Sequence, residues 1–148
     1  MKDKDIGYIL HKAAMLAKCN FSNKLNVLGI TPGQFTVLKE IYYYQQNNIN
    51  LGLSPASIAA RLEIDRPTAS GIIDRLEAQG WVERLDNPDD KRSYIIIATE
   101  KTVDKLQELE AIHFESVNTI VKGFTKEEID SLKNLLLRVK ANFDKRTV

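Results

Sequence analysis

Residues 54–76 constrain the fold more than any other part of the chain. Ser54 and Asp65 are residue types that commonly cap helix N-termini, and Pro55 and Pro67 follow where proline suits the first helical turn. The apolar residues after each cap recur at helical spacing, so each segment predicts a short helix with one buried face. Two short helices joined by a turn of about three residues are typical of a helix-turn-helix.

Two runs of strand-forming residues, "WVERL" and "RSYIIIA", follow this pair directly. The polar segment between them predicts a β-hairpin with a long turn. Ahead of the pair, Thr31, Pro32 and Gln34 form a capping box at the start of another helix. A hairpin placed immediately after a helix-turn-helix forms a wing, so residues 31–99 are predicted to be a winged helix-turn-helix, DNA-binding domain.

Long amphipathic helices are predicted on both sides of this domain, because apolar residues step by three and four through 6–28, 103–124 and 129–143. The predicted fold class is therefore mainly α with a small β-hairpin wing, flanked by N- and C-terminal helices at 1–30 and 100–148. One small domain cannot cover so many apolar faces, so we expect these to be dimerisation helices of a homodimer. The alternative is that they fold back on their own domain.

Composition sets limits on other classes of protein. The chain has 148 residues, a formal net charge of +1 and one cysteine, Cys19. No apolar run is long enough for a signal peptide or a transmembrane helix, and one cysteine cannot form an intrachain disulfide, so a cytoplasmic protein is expected. No catalytic cluster and no glycine-rich phosphate loop is visible, which argues against an enzyme and against a cofactor. His11 and His113 are far apart in sequence, so no metal site is predicted.

The segment "LEIDRPTASGIIDRLEAQGWVERLDNPDDKRSYIIIATEK", preceded by "ITPGQFTVLKEI", resembles the MarR (multiple antibiotic resistance regulator) family of bacterial transcription factors. The resemblance extends from the first predicted helix to the last. It implies a homodimeric winged helix-turn-helix protein that binds double-stranded DNA at pseudo-palindromic operators. It also implies a repressor of the kind that releases DNA when a small, often aromatic, ligand binds.

The resemblance implies that the second helix of the helix-turn-helix enters the major groove, which is wide enough for one helix. Its first turns are the expected DNA contacts, and the residue that begins the preceding helix is either a phosphate contact or only a cap. Many relatives carry a basic residue where this chain has Gly71, so one base contact is in doubt. The predicted contacts on the two helices are Ser54, Arg66, Pro67, Thr68, Ser70 and Gly71.

In the family the wing arginine reaches into the minor groove, and Arg92 is the matching position here. A narrow A·T-rich minor groove attracts arginine through its enhanced negative potential. We expect Asp90 to hold the Arg92 guanidinium, Lys91 to contact phosphate and Asp86 to shape the turn as an Asx residue. The alternative is a turn whose carboxylates are merely solvated. From residue 61 to 100 the chain has six basic and nine acidic side chains, so modest non-specific affinity for DNA is expected.

Three further residues carry expectations of their own. Arg75 should pair with a nearby carboxylate and stay structural. Glu63 stands in the turn between the two short helices, where relatives often have glycine, which suggests that this turn needs no positive φ. Cys19 is expected to be a structural thiol that is at least partly buried, and thiol-based redox sensing is the alternative.

An effector ligand is expected where the outer helices meet the winged helix, which the resemblance gives as the family's usual pocket. The alternative is that the residues at this junction only form the core or the dimer interface. The candidate ligand contacts are His11, Met15, Phe35, Leu38, Tyr42 and His113.

A competing hypothesis is a winged helix that binds another protein and no specific DNA. The acidic surroundings of the motif allow it. Arg92 distinguishes the two hypotheses, because a DNA reader should lose affinity when this side chain is removed, whereas a protein-binding wing need not respond.

Overall fold

The computed structural model describes residues 5–48 and 51–144. Within these residues the helices and strands follow one another in the predicted order, and the predicted fold class, mainly α with a two-stranded antiparallel hairpin, is confirmed. Residues 49 and 50, and the ends 1–4 and 145–148 of the predicted flanking segments, lie outside the described residues. The elements are α1 (Ile6–Leu25), a 3-10 turn (Asn26–Leu28), α2 (Pro32–Asn47), α3 (Pro55–Leu62), α4 (Arg66–Ala78), β1 (Val82–Asp86), β2 (Tyr94–Ala98), α5 (Glu100–Ile120) and α6 (Lys126–Asn142).

The helix starts follow the capping residues of the sequence. The Thr31 hydroxyl accepts the backbone N–H of Gln34 at 3.2 Å, and the Gln34 side-chain oxygen accepts the N–H of Thr31 at 2.8 Å. Ser54 and Asp65 cap α3 and α4 by accepting the backbone N–H three residues ahead. Each cap satisfies an N–H group that has no partner inside its helix, so local chemistry decides where these helices begin.

The turn between α3 and α4 differs from the prediction made for Glu63. Glu63 has a φ of 55°, in the left-handed region, so the expectation that this turn needs no positive φ is wrong. The conformation closes the end of α3, because the N–H of Ile64 then reaches the carbonyl of Ala59 at 3.0 Å. A residue with a Cβ adopts this region at a cost of about 1–2 kcal/mol, which the surrounding helix pair must offset.

The hydrophobic core lies between α2, α3, α4 and the inner face of the hairpin. Its largest fully buried side chains include Trp81, Leu38, Ile41, Ile73 and Leu76. Because Leu38 and Ile41 in α2, and Ile73 and Leu76 in α4, are three residues apart, each pair lies on one side of its helix.

A short segment ahead of α3 anchors the hairpin. The backbone N–H of Ile96 donates to the carbonyl of Leu53 at 2.8 Å, so Leu53 extends the two strands by one bridge. Gly52 makes this approach possible, because a Cβ at that position would lie 2.7 Å from the carbonyl oxygen of Ile96. The base of the wing is therefore held both by the core and by backbone pairing.

The structure divides into two compact units, the first ending at His113 and the second beginning at Phe114. The first unit holds the winged helix together with α1 and the start of α5, and its core includes Leu25 and Leu109. These bounds differ from the predicted division at residues 30 and 100, since both flanking helices contribute to the core of the winged-helix unit.

Large apolar side chains are exposed on the helices that flank the winged helix. In the first unit they lie on α1 and, with Val103, at the start of α5, and in the second they lie on the end of α5, in the following turn and on α6. No helix among the described residues is long and apolar enough to span a membrane. The exposed apolar residues of these helices include Ile6, Ile9, Leu10 and Leu16 in the first unit, and Phe114, Val117, Ile120, Phe124, Leu135, Leu136, Leu137 and Phe143 in the second.

Candidate nucleic-acid interface

The first two turns of α4 present the predicted DNA contacts on its outer face. The inner face packs Ala69, Ile73 and Leu76 into the core, and this fixes the rotation of the helix. Arg66 and Thr68 are consequently exposed. Pro67 is exposed beside them, and Ser70 and Gly71 are half-buried. The arrangement gives a protruding helix end of the width that a major groove accepts.

An ionised carboxylate, that of Asp65, caps the N-terminus of α4. The carboxylate of Asp65 accepts the backbone N–H of Thr68 at 2.7 Å, and this hydrogen bond is the main reason that the pKa of Asp65 is lowered. Asp65 therefore stays ionised, and its charge is directed at the helix N–H groups, where the helix dipole favours an anion.

Gly71 stands on this outer face with open space around it. A Cβ built at Gly71 would meet no atom within 4 Å. Close packing therefore does not explain why this chain has a glycine in the middle of a helix.

Replacing Gly71 with alanine is expected to raise the free energy of unfolding by about 1 kcal/mol, because glycine is the less favourable residue inside a helix. Thermal and urea unfolding at fixed protein concentration would measure the change. Gly123→Ala is the matched control. Gly123 has a φ of 84°, so this substitution should lower the free energy of unfolding of the protein. A loss of stability in Gly71→Ala would contradict the open geometry.

Ser54 is fully engaged in capping. Its hydroxyl oxygen accepts the backbone N–H of Ser57 at 3.1 Å and its hydroxyl donates to the Ser57 side chain at 3.0 Å. The predicted cap is confirmed, and a phosphate contact of Ser54 stays a prediction.

The wing tip is organised by two side-chain turns. The side-chain oxygen of Asn87 accepts the N–H of Asp89 at 3.0 Å, and that of Asp90 accepts the N–H of Arg92 at 2.9 Å. The Asx residues are thus Asn87 and Asp90, and the prediction for Asp86 is wrong because Asp86 ends β1 and pairs with Tyr94.

Arg92 projects from this tip into solvent. Its Nε lies 3.8 Å from the Asp90 carboxylate, and 96% of its side chain is exposed. Asp90 therefore holds the backbone of Arg92 by a hydrogen bond, and its carboxylate is within ion-pair distance of the guanidinium; the predicted fixing of the guanidinium by Asp90 stays a prediction. Lys91 is exposed beside it. The contact of these three side chains with DNA stays a prediction.

Arg84 is a residue that the sequence analysis did not identify. It lies on the inner face of the hairpin, and its guanidinium reaches the carboxylates of Asp74 and Glu77 on α4. Within residues 5–48 and 51–144 no carboxylate lies within ion-pair distance of Arg75, so the predicted ion pair of Arg75 is wrong. The alternation of side chains along a strand could have identified Arg84 as inward-facing, because it shares its hairpin face with the buried Val82 and Ile96.

A groove of about 550 Å³ runs along α4 within the first unit, and three of the predicted DNA contacts, Pro67, Thr68 and Gly71, line part of it. Two cations, Lys18 and Arg75, contribute to its wall, and none of the six predicted ligand contacts does. The complete lining is Lys18, Ser22, Thr31, Pro32, Gly33, Pro67, Thr68, Gly71, Ile72 and Arg75.

The predicted ligand contacts fall into three environments. Phe35 and Leu38 are buried in the core, whereas His11 and Met15 are exposed on α1. Tyr42 is half-buried and packs against the core. These positions do not form one pocket wall, and their contact with a ligand stays a prediction.

His113 and Phe35 do lie together, and Phe21 joins them. The ring centroid of His113 is 5.2 Å from that of Phe35 and 5.8 Å from that of Phe21. Burial among these rings, with a smaller effect of Lys39, lowers the pKa of His113. The imidazole is thus favoured in its neutral form at this junction of α1, α2 and α5.

Cys19 differs from its prediction. It is exposed on α1, so the expectation of a partly buried structural thiol is wrong. The side chain faces away from the core because the buried face of α1 is carried by Leu25 and the half-buried Phe21.

Known proteins resemble this chain over nearly its whole length. The family model described as "MarR family" matches residues 30–94. The HTH-type transcriptional regulator YybA of Bacillus subtilis is 30% identical over 144 residues, which cover 96% of this chain and 88% of YybA. A structure of mutant MarR from Escherichia coli complexed with operator DNA aligns with a TM-score of 0.78 and 27% identity, covering 90% of this chain and 92% of that one.

The fold is also shared with more distant relatives. The Staphylococcus aureus MepR–DNA complex aligns with a TM-score of 0.85 at 23% identity, over 95% of this chain and all of that chain.

The matched segment of the family model spans the helix-turn-helix and most of the hairpin, which are the elements that carry the predicted DNA contacts. The chain therefore belongs to the MarR family of DNA-binding transcriptional regulators.

Proposed function

We propose that this protein binds a pseudo-palindromic operator as a homodimer, with α4 in the major groove and Arg92 in the adjacent minor groove. The observation that carries the proposal is that one winged unit presents both an exposed helix end and a wing arginine with 96% of its side chain exposed. The mutant MarR of Escherichia coli, which this chain resembles over 90% of its length, is bound to operator DNA. A repressor follows from this mode of binding when the operator overlaps a promoter.

The homodimer is supported by the apolar surface of the flanking helices. Side chains such as Ile6, Phe114 and Phe143 are 82%, 68% and 81% exposed, and they belong to helices with continuous apolar faces. A soluble protein rarely exposes contiguous patches of that kind unless another protein covers them. A second copy of the chain places two α4 helices at half-sites about 34 Å apart, which is one turn of DNA.

The charge around the motif predicts how binding depends on salt. Six basic and nine acidic side chains lie between residues 61 and 100, so few phosphates are neutralised at this surface. Electrostatic attraction then contributes little to affinity, and hydrogen bonds to base edges contribute more.

The test is fluorescence anisotropy with the DNA upstream of the protein's own gene and with a scrambled duplex of the same length. We expect one dimer per site on the upstream DNA, with a specificity of at least about 1,000-fold over the scrambled duplex. The slope of log affinity against log salt should be shallower than about −5, since fewer than six phosphate contacts are expected. Equal weak binding to both duplexes would favour the protein-binding hypothesis.

We further propose that an aromatic effector acts at the junction of α1, α2 and α5. The rings of Phe21, Phe35 and His113 supply an apolar, aromatic environment there, which suits a planar ligand. Release of the operator by a panel of phenols and aromatic carboxylates, measured in the same anisotropy assay, would test the effector. The expected result is release that a Phe21→Ala variant no longer shows.

A further inference from the structure

Arg84 joins the two parts of the protein that are proposed to touch DNA. It lies in β1, and its guanidinium contacts the carboxylate of Asp74 in α4 through Nη2. Its Nε forms an ion pair with Glu77 at 3.1 Å, in a geometry that is not a hydrogen bond. On the hairpin side, Nη1 donates to the hydroxyl of Tyr94 at 2.7 Å, and the guanidinium lies 4.6 Å from the centre of the Tyr94 ring.

These contacts lie at the base of the wing tip. Tyr94 pairs with Asp86 in the last pair of the hairpin, and Arg92 is two residues before Tyr94. On the helix, Asp74 is about two turns after the exposed Arg66 and Thr68. The Arg84 side chain therefore connects α4, the helix proposed to enter the major groove, to β2, the strand that begins two residues after Arg92.

The chemistry of arginine suits this position better than a single ion pair would. The planar guanidinium stacks on the tyrosine ring while its edge faces two carboxylates, so several contacts are made by one pre-organised group. The side chain of Arg84 is only 28% exposed, whereas Asp74 and Glu77 are 64% and 41% exposed. Such exposed carboxylates add little to folding stability, but they do restrict where the wing can lie relative to α4.

The same contacts change the charge that DNA meets. Asp74 and Glu77 are two of the nine acidic side chains in this region, and both would repel phosphate if they were unpaired. Arg84 partly neutralises them without projecting towards DNA itself.

We propose that Arg84 is a positioning residue that sets the wing relative to α4, so that Arg92 and the first turns of α4 reach adjacent grooves together. The inference rests on the proposed function, because it assumes that Arg92 enters the minor groove. It assigns Arg84 no contact with DNA.

The test is a double-mutant cycle between Arg84→Gln and Arg92→Ala, measured as operator affinity. In the wild-type background Arg92→Ala should weaken binding by about 5- to 150-fold. In the Arg84→Gln background the same change should cost no more than about twofold, because a misplaced wing has already lost the contact. Unfolding of each variant is followed in parallel to show that all of them are folded.

Arg61→Gln is the matched control. Arg61 pairs with Glu40 at 2.5 Å and lies 5.1 Å from the centre of the Tyr44 ring, so it forms the same kind of network between α2 and α3, away from the wing. Its cycle with Arg92→Ala should be additive. If Arg84→Gln is also additive with Arg92→Ala, the positioning role is overturned while the DNA role of Arg92 stands.

Hydrogen exchange of the free protein separates this inference from the proposed function. Arg84→Gln should speed exchange of the β1 and β2 amides selectively, and leave α2 unchanged. Unchanged exchange in the hairpin would overturn the positioning role whatever DNA shows. If Arg92→Ala costs nothing in the wild-type background, the minor-groove contact of the proposed function fails, and the exchange result alone decides whether Arg84 positions the wing.

Discussion

Replacing Arg92 with alanine is expected to weaken operator binding by about 1–3 kcal/mol and to leave protein stability unchanged. The side chain is 96% exposed and its nearest carboxylate is 3.8 Å away, so little folding energy depends on it. The expected loss of affinity comes from the proposed contact of the guanidinium in the minor groove. Anisotropy titration on the upstream operator, with thermal unfolding alongside, measures both quantities.

Two control variants make this result specific. Arg138→Ala removes the same charge from α6, and it should change affinity only through net charge. Lys91→Ala removes a predicted phosphate contact from each protomer, so it should weaken binding to all sequences alike and lower the salt slope by about two for the dimer. Equal effects of Arg92→Ala and Arg138→Ala on the operator would contradict the minor-groove role.

Replacing Trp81 with alanine is expected to lower the free energy of unfolding by about 3–5 kcal/mol. Trp81 joins α4 to β1, is 1% exposed and is the largest fully buried side chain of the core. Removing it leaves a cavity at the base of the wing, so DNA binding should fall with stability. Urea unfolding at a fixed protomer concentration is the measurement, because the stability of a dimer depends on concentration.

Trp81→Phe is the informative partner of that variant. The indole Nε1 is buried without a hydrogen-bond partner among the described residues, so phenylalanine loses no hydrogen bond and keeps most of the ring volume. The Nζ of Lys101 lies 4.3 Å from the centre of the tryptophan ring, and a phenyl ring retains part of that attraction. We expect a loss below about 1.5 kcal/mol. A loss as large as that of Trp81→Ala would mean that the indole nitrogen has a role that these contacts do not show.

Features decided by neighbouring residues could be predicted from the sequence. Thr31, Ser54 and Asp65 each cap the N–H group three residues ahead. Their sequence patterns therefore predict where the helices begin, and the helices do begin directly after these residues. The order of helices and strands followed from the spacing of apolar residues, whereas the role of Arg92 was implied by the family resemblance and not by a local pattern.

Features decided by distant residues could not be predicted. Asp74 and Glu77 pair with Arg84 across the helix–hairpin boundary, and nothing in the spacing distinguishes this from a pairing with Arg75. Glu63 was misjudged for another reason. Its positive φ follows from the backbone closure of α3, which overrides the preference of the side chain. The sequence predicted an Asx turn at Asp86, whereas the first Asx turn of the tip begins one residue later, at Asn87. Asp86 itself pairs with Tyr94 and ends β1.

The empty space at Gly71 has an evolutionary consequence. A Cβ introduced there meets no atom within 4 Å, so a small side chain fits without displacing a neighbour. If α4 enters the major groove as proposed, selection for a new operator sequence can act on this residue with little effect on folding. Paralogues of this regulator could separate their binding sites by a single substitution, while the core, the caps and the wing stay the same.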